Sequence, residues 1–302
     1  MKSLLITSLA LICCFMSFAQ SPVTLKLTLE KGKVYKLKNI SKQNIQSSYN
    51  GMNFTTDVNS STSIRFTLLS LEKDLMRIEF KIDTIQSKTN SPMGNKETNS
   101  AKPAKKTEYM ERIMNRFSNT GIIAKISTSG KFMGFENYKA FRTNVLAIMD
   151  SIPESKKDQL QKQIDMTLKE SAVQSMIESL FVYLPDNAVK TGETWETSNS
   201  VSGGGLTGMN FNTITLDSAD QNVAALSLKS ELESMPSTDE NALMQMNIKG
   251  QSTGNMTIDL KTGIIIKSND KKHYEGVMTV KNQGNEVKMP LTINAQSEII
   301  KQ

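Results

Sequence analysis

The chain has 302 residues, a formal net charge of +6, a single histidine and two cysteines. One histidine excludes metal sites built on two or more imidazoles and leaves a hydrolytic triad without an evident base. An aromatic content of 6% is too low for the interfacial girdles of a transmembrane barrel, and the chain closes on Ile300-Lys301-Gln302 rather than on an aromatic.

Residues 1–19 read as a cleavable export signal. Lys2 supplies the positive start, Leu4 to Phe15 form an almost unbroken apolar run, and Ser17-Phe18-Ala19 is a small-x-small site that places cleavage between Ala19 and Gln20. The run is too short for a permanent spanning helix. Leu11 and Ile12 stand before Cys13 and Cys14 where lipidation needs small residues, so soluble export to the periplasm or the outer face of the envelope is expected. Cleavage takes 19 residues from 302 and leaves 283, with no cysteine and a charge of +5. The mature chain then has neither disulfides nor thiolate-bound metal, and 20–302 is expected as a single β-rich domain held by packing.

Strand periodicity dominates the first quarter. Leu25, Leu27 and Leu29 alternate with Lys26, Thr28 and Glu30, as in a half-buried strand. Asn50-Gly51 is a favoured type I′ hairpin turn. Closing it pairs Tyr49 with Met52, Ser47 with Phe54, Leu37 with Ile64 and Tyr35 with Phe66, which puts the apolar residues on one face. The middle of this hairpin is polar on both faces (Asn39 and Ser41 against Ser60 and Thr62), so it should bend or sit over a wet cavity. Met76, Ile78, Phe80 and Ile82 alternate cleanly in a further strand. Residues 88–106 carry five lysines and one glutamate with Ser91-Pro92 and Gly94-Asn95, and read as a mobile basic loop. The stretch 107–120 is ambiguous between helix and strand.

The period then changes. Tyr138, Phe141, Val145, Ile148 and Met149 recur at helical spacing. Ser151-Ile152-Pro153-Glu154 reads as a capping box opening a second helix, with Leu160, Ile164 and Leu168, then Val173, Ile177 and Leu180, as its stripe. Residues 137–182 are therefore expected as a two-helix insertion packed on one side of a sheet. Strands return from Trp195 onward, with turns at Asp217–Asn222, Lys261-Thr262-Gly263 and Gln283-Gly284. The last of these sets Met278 against Met289 and Val280 against Val287. Pro290 lacks an amide donor and should mark an edge strand or a bulge.

Chemical motifs are few. Gly203-Gly204-Gly205 is followed by no Lys-Ser/Thr and is not a phosphate loop. Asp217-Ser218-Ala219-Asp220 lacks calcium-loop spacing and reads as a turn. His273 lies in a strand, with no G-x-S-x-G elbow elsewhere to supply a nucleophile. Neither an enzyme nor a cofactor is expected. Nucleic acid is not an expected partner, because the lysines are not interleaved with aromatics on a structured face. The candidates for contact with an apolar ligand are the lone Trp195, the paired Met244 and Met246, and Phe54 and Phe66.

Two segments carry a resemblance. Leu184-Pro185 to Val189 followed by Gly192-Glu193-Thr194-Trp195, and Gly254 to Gly263 with Asp259 and Thr262-Gly263, are similar to an uncharacterised family of secreted or lipid-anchored Bacteroidota envelope proteins about 300 residues long. That resemblance implies no activity. At fold level the long strands, intervening helices and D-x-x-T-G turn resemble the half-barrel of LolA/LolB-like lipoprotein carriers. The expected architecture is α+β: a large, strongly bent antiparallel sheet or open half-barrel of about ten strands. The expected function is a non-enzymatic envelope protein that binds a lipid or other apolar ligand, or a scaffold for another envelope protein.

Overall fold

A computed structural model describes residues 21–235, 244–282 and 285–302. The leader, its Ala19–Gln20 site and the Gln283-Gly284 turn lie outside the described residues. The expected open α+β sheet is present, with twelve strands in the order β6-β5-β3-β2-β1-β12-β11-β10-β9-β8-β7 and β4 attached to β3. In chain order these are β1 (Val34–Tyr49), β2 (Met52–Glu72), β3 (Leu75–Ser91), β4 (Gly94–Asn99), β5 (Ile122–Ser127), β6 (Phe132–Phe135), β7 (Thr194–Gly203), β8 (Leu206–Ala219), β9 (Val223–Ser234), β10 (Met244–Asp259), β11 (Ile265–Asn282) and β12 (Asn285–Lys301). Four α-helices complete the fold among the described residues: α1 (Tyr109–Asn119), α2 (Tyr138–Leu146), α3 (Glu154–Thr167) and α4 (Glu170–Glu178).

Turn chemistry sets the first register. Asn50 and Gly51 both have positive φ (51° and 77°), as a type I′ turn requires. The pairs Tyr49–Met52, Ser47–Phe54, Leu37–Ile64 and Tyr35–Phe66 all form. Strands of this length stay curved because bulges interrupt them, at Ser63/Ile64 and Leu68/Ser70 in β2 and at Leu216/Ser218 in β8. Met278–Met289 and Val280–Val287 also pair as expected.

The apolar side chains gather at one end of the trough. Phe66 is fully buried, stacked 5.5 Å from Tyr35 and packed against Phe80 and Phe181. Val145, Ile164 and Ile177 bring the helices onto the same core. Helix α4 lies between the two sheet edges and is stitched to β7: Ser175 Oγ donates to the Ser200 carbonyl (3.1 Å), and Ser171 and Ser202 share a hydrogen bond of 2.8 Å. An edge strand that would otherwise expose unpaired backbone is thereby covered.

Several expectations are corrected. Leu25, Leu27 and Leu29 are buried but do not form a strand. Their segment crosses the closed end, where Val23 bridges Val189, Leu27 N donates to Thr128 O and Thr28 N to Thr262 O. Alternation signals a one-sided environment, and a crossing segment has one as well. Residues 88–99, expected within a loop, complete β3 and form β4. That hairpin is polar on both faces, so no hydrophobic period reveals it. The ambiguous 107–120 stretch contains α1, whose Ile113 and Phe117 reach the core.

The second expected helix is two. Leu168 closes α3 and a new helix starts at Glu170. The capping box expected at the start of α3 does not form, and Ser151 Oγ instead donates to Ile148 O. Pro290 is not in an edge strand, since β12 lies between β1 and β11. It stands one residue beyond the last β1 partner, Leu291 opposite Ser47, where β12 has lost that neighbour.

Asp259 organises the closed end. Its Oδ1 accepts the amides of Lys261 (2.9 Å) and Thr262 (3.3 Å), and its Oδ2 pairs with Lys301 Nζ at 2.9 Å. Gly263 follows with φ 71°, and a Cβ there would meet Lys26 O at 2.4 Å. Burial raises the Asp259 carboxyl, but Lys301 and the turn amides outweigh it and hold it below its ordinary value. A carboxyl depressed in the folded state contributes stability above about pH 4 and loses it as the pH falls through its folded value. Asp259→Asn keeps the turn acceptor and loses the ion pair. Its urea-unfolding free energy should therefore decline less than the parent's from about pH 5 to about pH 2. Parallel declines would show that Asp259 is not one of the acid-sensitive groups.

Candidate functional site

Cross-strand register lays the concave face out in rows. Nearest the core, Ile214, Leu228 and Met256 continue the apolar floor. Above it runs a polar row, Lys272 on β11, Ser252 on β10, Ser230 on β9, Asn212 on β8 and Thr197 on β7, each opposite the next. A small apolar cluster of Leu232, Ile248 and Leu291 closes the far side. The polar row is thus enclosed between two apolar zones, and the end of α4 with Phe181, Val182 and Tyr183 forms the facing wall.

A cleft of about 190 Å³ lies between that wall and the sheet. At about 30 Å³ per water it holds roughly six waters. Its lining is mostly polar: Asn39, Thr197, Asn199, Asn210, Asn212, Ser230, Ser252 and Ser297 among others, with Met256, Ile214 and Leu228 beneath. Some of these groups satisfy one another. Ser230 Oγ donates to Asn212 Oδ1 (2.6 Å), and Asn212 Nδ2 donates to Asn199 Oδ1 (2.9 Å). Others have no such partner. Among the described residues, Asn39 Oδ1 and Asn210 Oδ1 are buried in this lining without a hydrogen bond. Each such acceptor costs about 1–3 kcal/mol until a donor reaches it.

Charge enters the cleft as a pair. Lys272 Nζ lies 2.9 Å from Asp270 Oδ2, with side-chain exposures of 33% and 19%. Burial works against the Lys272 charge, but Asp270 and Tyr274 outweigh it and keep the ammonium above its ordinary value. Burial pushes the Tyr274 phenol up, against the pull of Lys272. It pushes Tyr183 up further, with the Glu178 carboxylate adding to the shift. Both phenols are therefore neutral O–H groups at ordinary pH. Glu178 is itself buried and accepts Gln174 Nε2 at 3.0 Å.

The residues expected to contact an apolar ligand are not brought together here. Phe66 is core. Phe54 sits near the β1–β2 tip, while Met246 packs beside the Leu232–Ile248–Leu291 cluster. Met244 begins β10 with its carbonyl against Gly205. Trp195 is half-buried in β7, and its Nε1 donates to Tyr183 O at 2.8 Å, so it braces the cleft wall from behind. None of the five lines the cleft, whose lining combines polar residues with an apolar floor. One sequence signal did point to the cleft, namely the doubly polar middle of the first hairpin, which holds Asn39. Asp270, Lys272 and Asn210 were missed. Each looks like a solvated strand position until the register shows that it faces inward.

Both segments behind the family resemblance are structural. Leu184 N donates to Ser129 O, Gly192 N to Leu216 O, and Lys190 N to Glu193 Oε2 at 2.8 Å, which fixes the path from α4 into β7. The Gly254–Gly263 segment ends in the Asp259 turn. A family model described as "Family of unknown function (DUF6263)" matches residues 73–265, more than half of the chain. The chain belongs to this family. The DUF6263 match takes in the cleft wall, most of the polar row and both structural segments, and it assigns no activity. No curated protein matches. Among solved structures, the chain is similar to an outer membrane channel from Pseudomonas putida F1 (7% identity, 91% of this chain and 97% of that one, TM-score 0.28). It is also similar to Pseudomonas aeruginosa OccK5 (6% identity, 91% and 100%, TM-score 0.24). Neither is a LolA/LolB-like carrier, and at these TM-scores neither carries an argument about this chain. No helix among the described residues is long and apolar enough to cross a membrane.

Proposed function

We propose that this DUF6263 chain is an exported, non-enzymatic binding protein that holds a small polar ligand in the cleft between α4 and the sheet. The observation that carries this reading is that two residues lining this cleft, Asn39 and Asn210, each have a buried amide oxygen that accepts no hydrogen bond among the described residues. Acceptors call for donors, so the ligand offers hydroxyl or amide N–H groups. The apolar floor of Met256, Ile214 and Leu228 takes a C–H face or a methyl group. A neutral sugar ring bearing an acetamido group has this combination. Binding is favoured over catalysis because the two carboxylates at the cleft are already engaged, Asp270 with Lys272 and Glu178 with Gln174. Export rests on residues 1–19.

The double variant Asn39→Leu/Asn210→Leu separates ligand binding from folding. Replacing an unsatisfied buried acceptor by an apolar side chain removes its desolvation cost, so the ligand-free variant should be at least as stable as the parent. Titration calorimetry with N-acetylglucosamine should show binding to the parent and a loss of tenfold or more in the variant. Equal binding by the two proteins would place the ligand elsewhere, and a variant clearly less stable than the parent would mean these oxygens are already satisfied.

A further inference from the structure

The opposite, outward face of the same sheet carries a second pattern. Register places Lys229 on β9, Thr253 on β10, Lys271 on β11, Gln296 on β12, Lys42 on β1, Asn59 on β2 and Lys88 on β3 directly opposite one another in a single row. Lysine occupies every second strand, and an amide or hydroxyl side chain occupies each strand between. At strand spacing the ammonium groups therefore repeat about every 10 Å across seven strands, a span of roughly 29 Å. Along strands this long the sheet bends, and the row from Lys229 to Asn59 lies in a shallow outer groove, with Lys88 beyond its end. Two adjoining stretches of about 720 and 700 Å³ share Lys42, Thr253, Lys271 and Gln296.

The four lysines are exposed, and among the described residues none is in an ion pair of 4 Å or less. The nearby acids are mostly engaged. Asn44 Nδ2 donates to Asp57 (2.8 Å), Gln251 donates to Glu231 (3.2 Å), and Glu298 pairs with Lys267 (3.1 Å). Glu97, opposite Lys88, marks one end of the row.

We propose that this groove binds an extended anionic polysaccharide, one carrying a carboxylate or sulfate on every second sugar and neutral hydroxyls between. The repeat of charge, polar group and charge matches such a chain unit for unit. A planar lipid surface does not fit a recessed row. Single-stranded nucleic acid needs aromatic platforms for its bases, and none stands in the row. This site is on the other face from the cleft, so the two readings stand or fall separately.

Hyaluronan, with one carboxylate per disaccharide, is the probe. Its affinity for the full mature chain would be measured at low and at physiological salt. Two triple variants of equal charge are compared with the parent: Lys42→Gln/Lys229→Gln/Lys271→Gln in the row, and Lys31→Gln/Lys131→Gln/Lys190→Gln on exposed positions outside it. Binding should weaken as salt rises. The row variant should lose tenfold or more, while the control should stay within about twofold of the parent. Equal losses in the two variants would reduce the effect to net charge and overturn the proposal. So would absence of hyaluronan binding at low salt, or row-dependent binding to phosphatidylglycerol vesicles without any to hyaluronan.

Discussion

Phe66→Ala should lower the unfolding free energy by about 3–5 kcal/mol. The ring is fully buried and touches Tyr35, Phe80 and Phe181, so β1, β2, β3 and the segment after α4 all meet on it. Truncation removes the transfer free energy of the ring and leaves a hole that three partners from different elements cannot close together. In a chain of this size the melting temperature should fall on the order of 10 °C. The same variant discriminates between a core role and the ligand-contact role that its isolated sequence position suggests. If Phe66 is core, the surviving folded protein binds N-acetylglucosamine with parental affinity. A small stability loss combined with lost binding would move Phe66 to the site.

Lys272→Met should be the most damaging single change at the cleft. It strands Asp270, whose side chain is 19% exposed, without its ammonium partner. Removing one member of a fully buried pair costs about 3–5 kcal/mol, and the partial exposure here brings the expectation to about 2–3 kcal/mol. Replacing both members with apolar residues, Asp270→Leu/Lys272→Met, should recover most of that loss, because no uncompensated charge remains. Denaturant unfolding of the parent and three variants (each single and the double) forms a cycle whose coupling energy reads the pair directly. Additive losses would mean that water already solvates both groups.

Local signals carried much of the fold. Asn50-Gly51 and the alternation around it specified a register that the structure reproduces residue for residue, because turn chemistry and burial agree there. The strand Met76–Ile82 and the stripes Phe141–Val145 and Leu160–Ile164 were legible for the same reason, each facing a single apolar core. What failed was non-local. Leu25, Leu27 and Leu29 are buried by crossing the end of the trough rather than by pairing, and sequence alternation does not distinguish the two. Gly94–Asn99 pairs with β3 with no apolar face to announce it.

The cleft was legible at one wall and hidden at the others. A polar residue within an otherwise apolar strand face, such as Asn39 in line with Leu37, is a visible anomaly. Asp270 and Lys272 sit in the polar run Ser268-Asn269-Asp270-Lys271-Lys272, where inward and outward positions have the same composition. Only the pairing of β11 with β10 and β12 assigns Asp270 and Lys272 to the cleft, and Lys271 to the outer row. One run of five residues thus serves both faces.

The most direct test of the binding role is native mass spectrometry of the mature protein, exported to a bacterial periplasm and purified without detergent. The expected result is a fraction of molecules carrying one small polar adduct, the size of one or two sugar rings, that is absent from the Asn39→Leu/Asn210→Leu variant. A ligand-free mass in both proteins, unchanged on adding N-acetyl sugars, would contradict it.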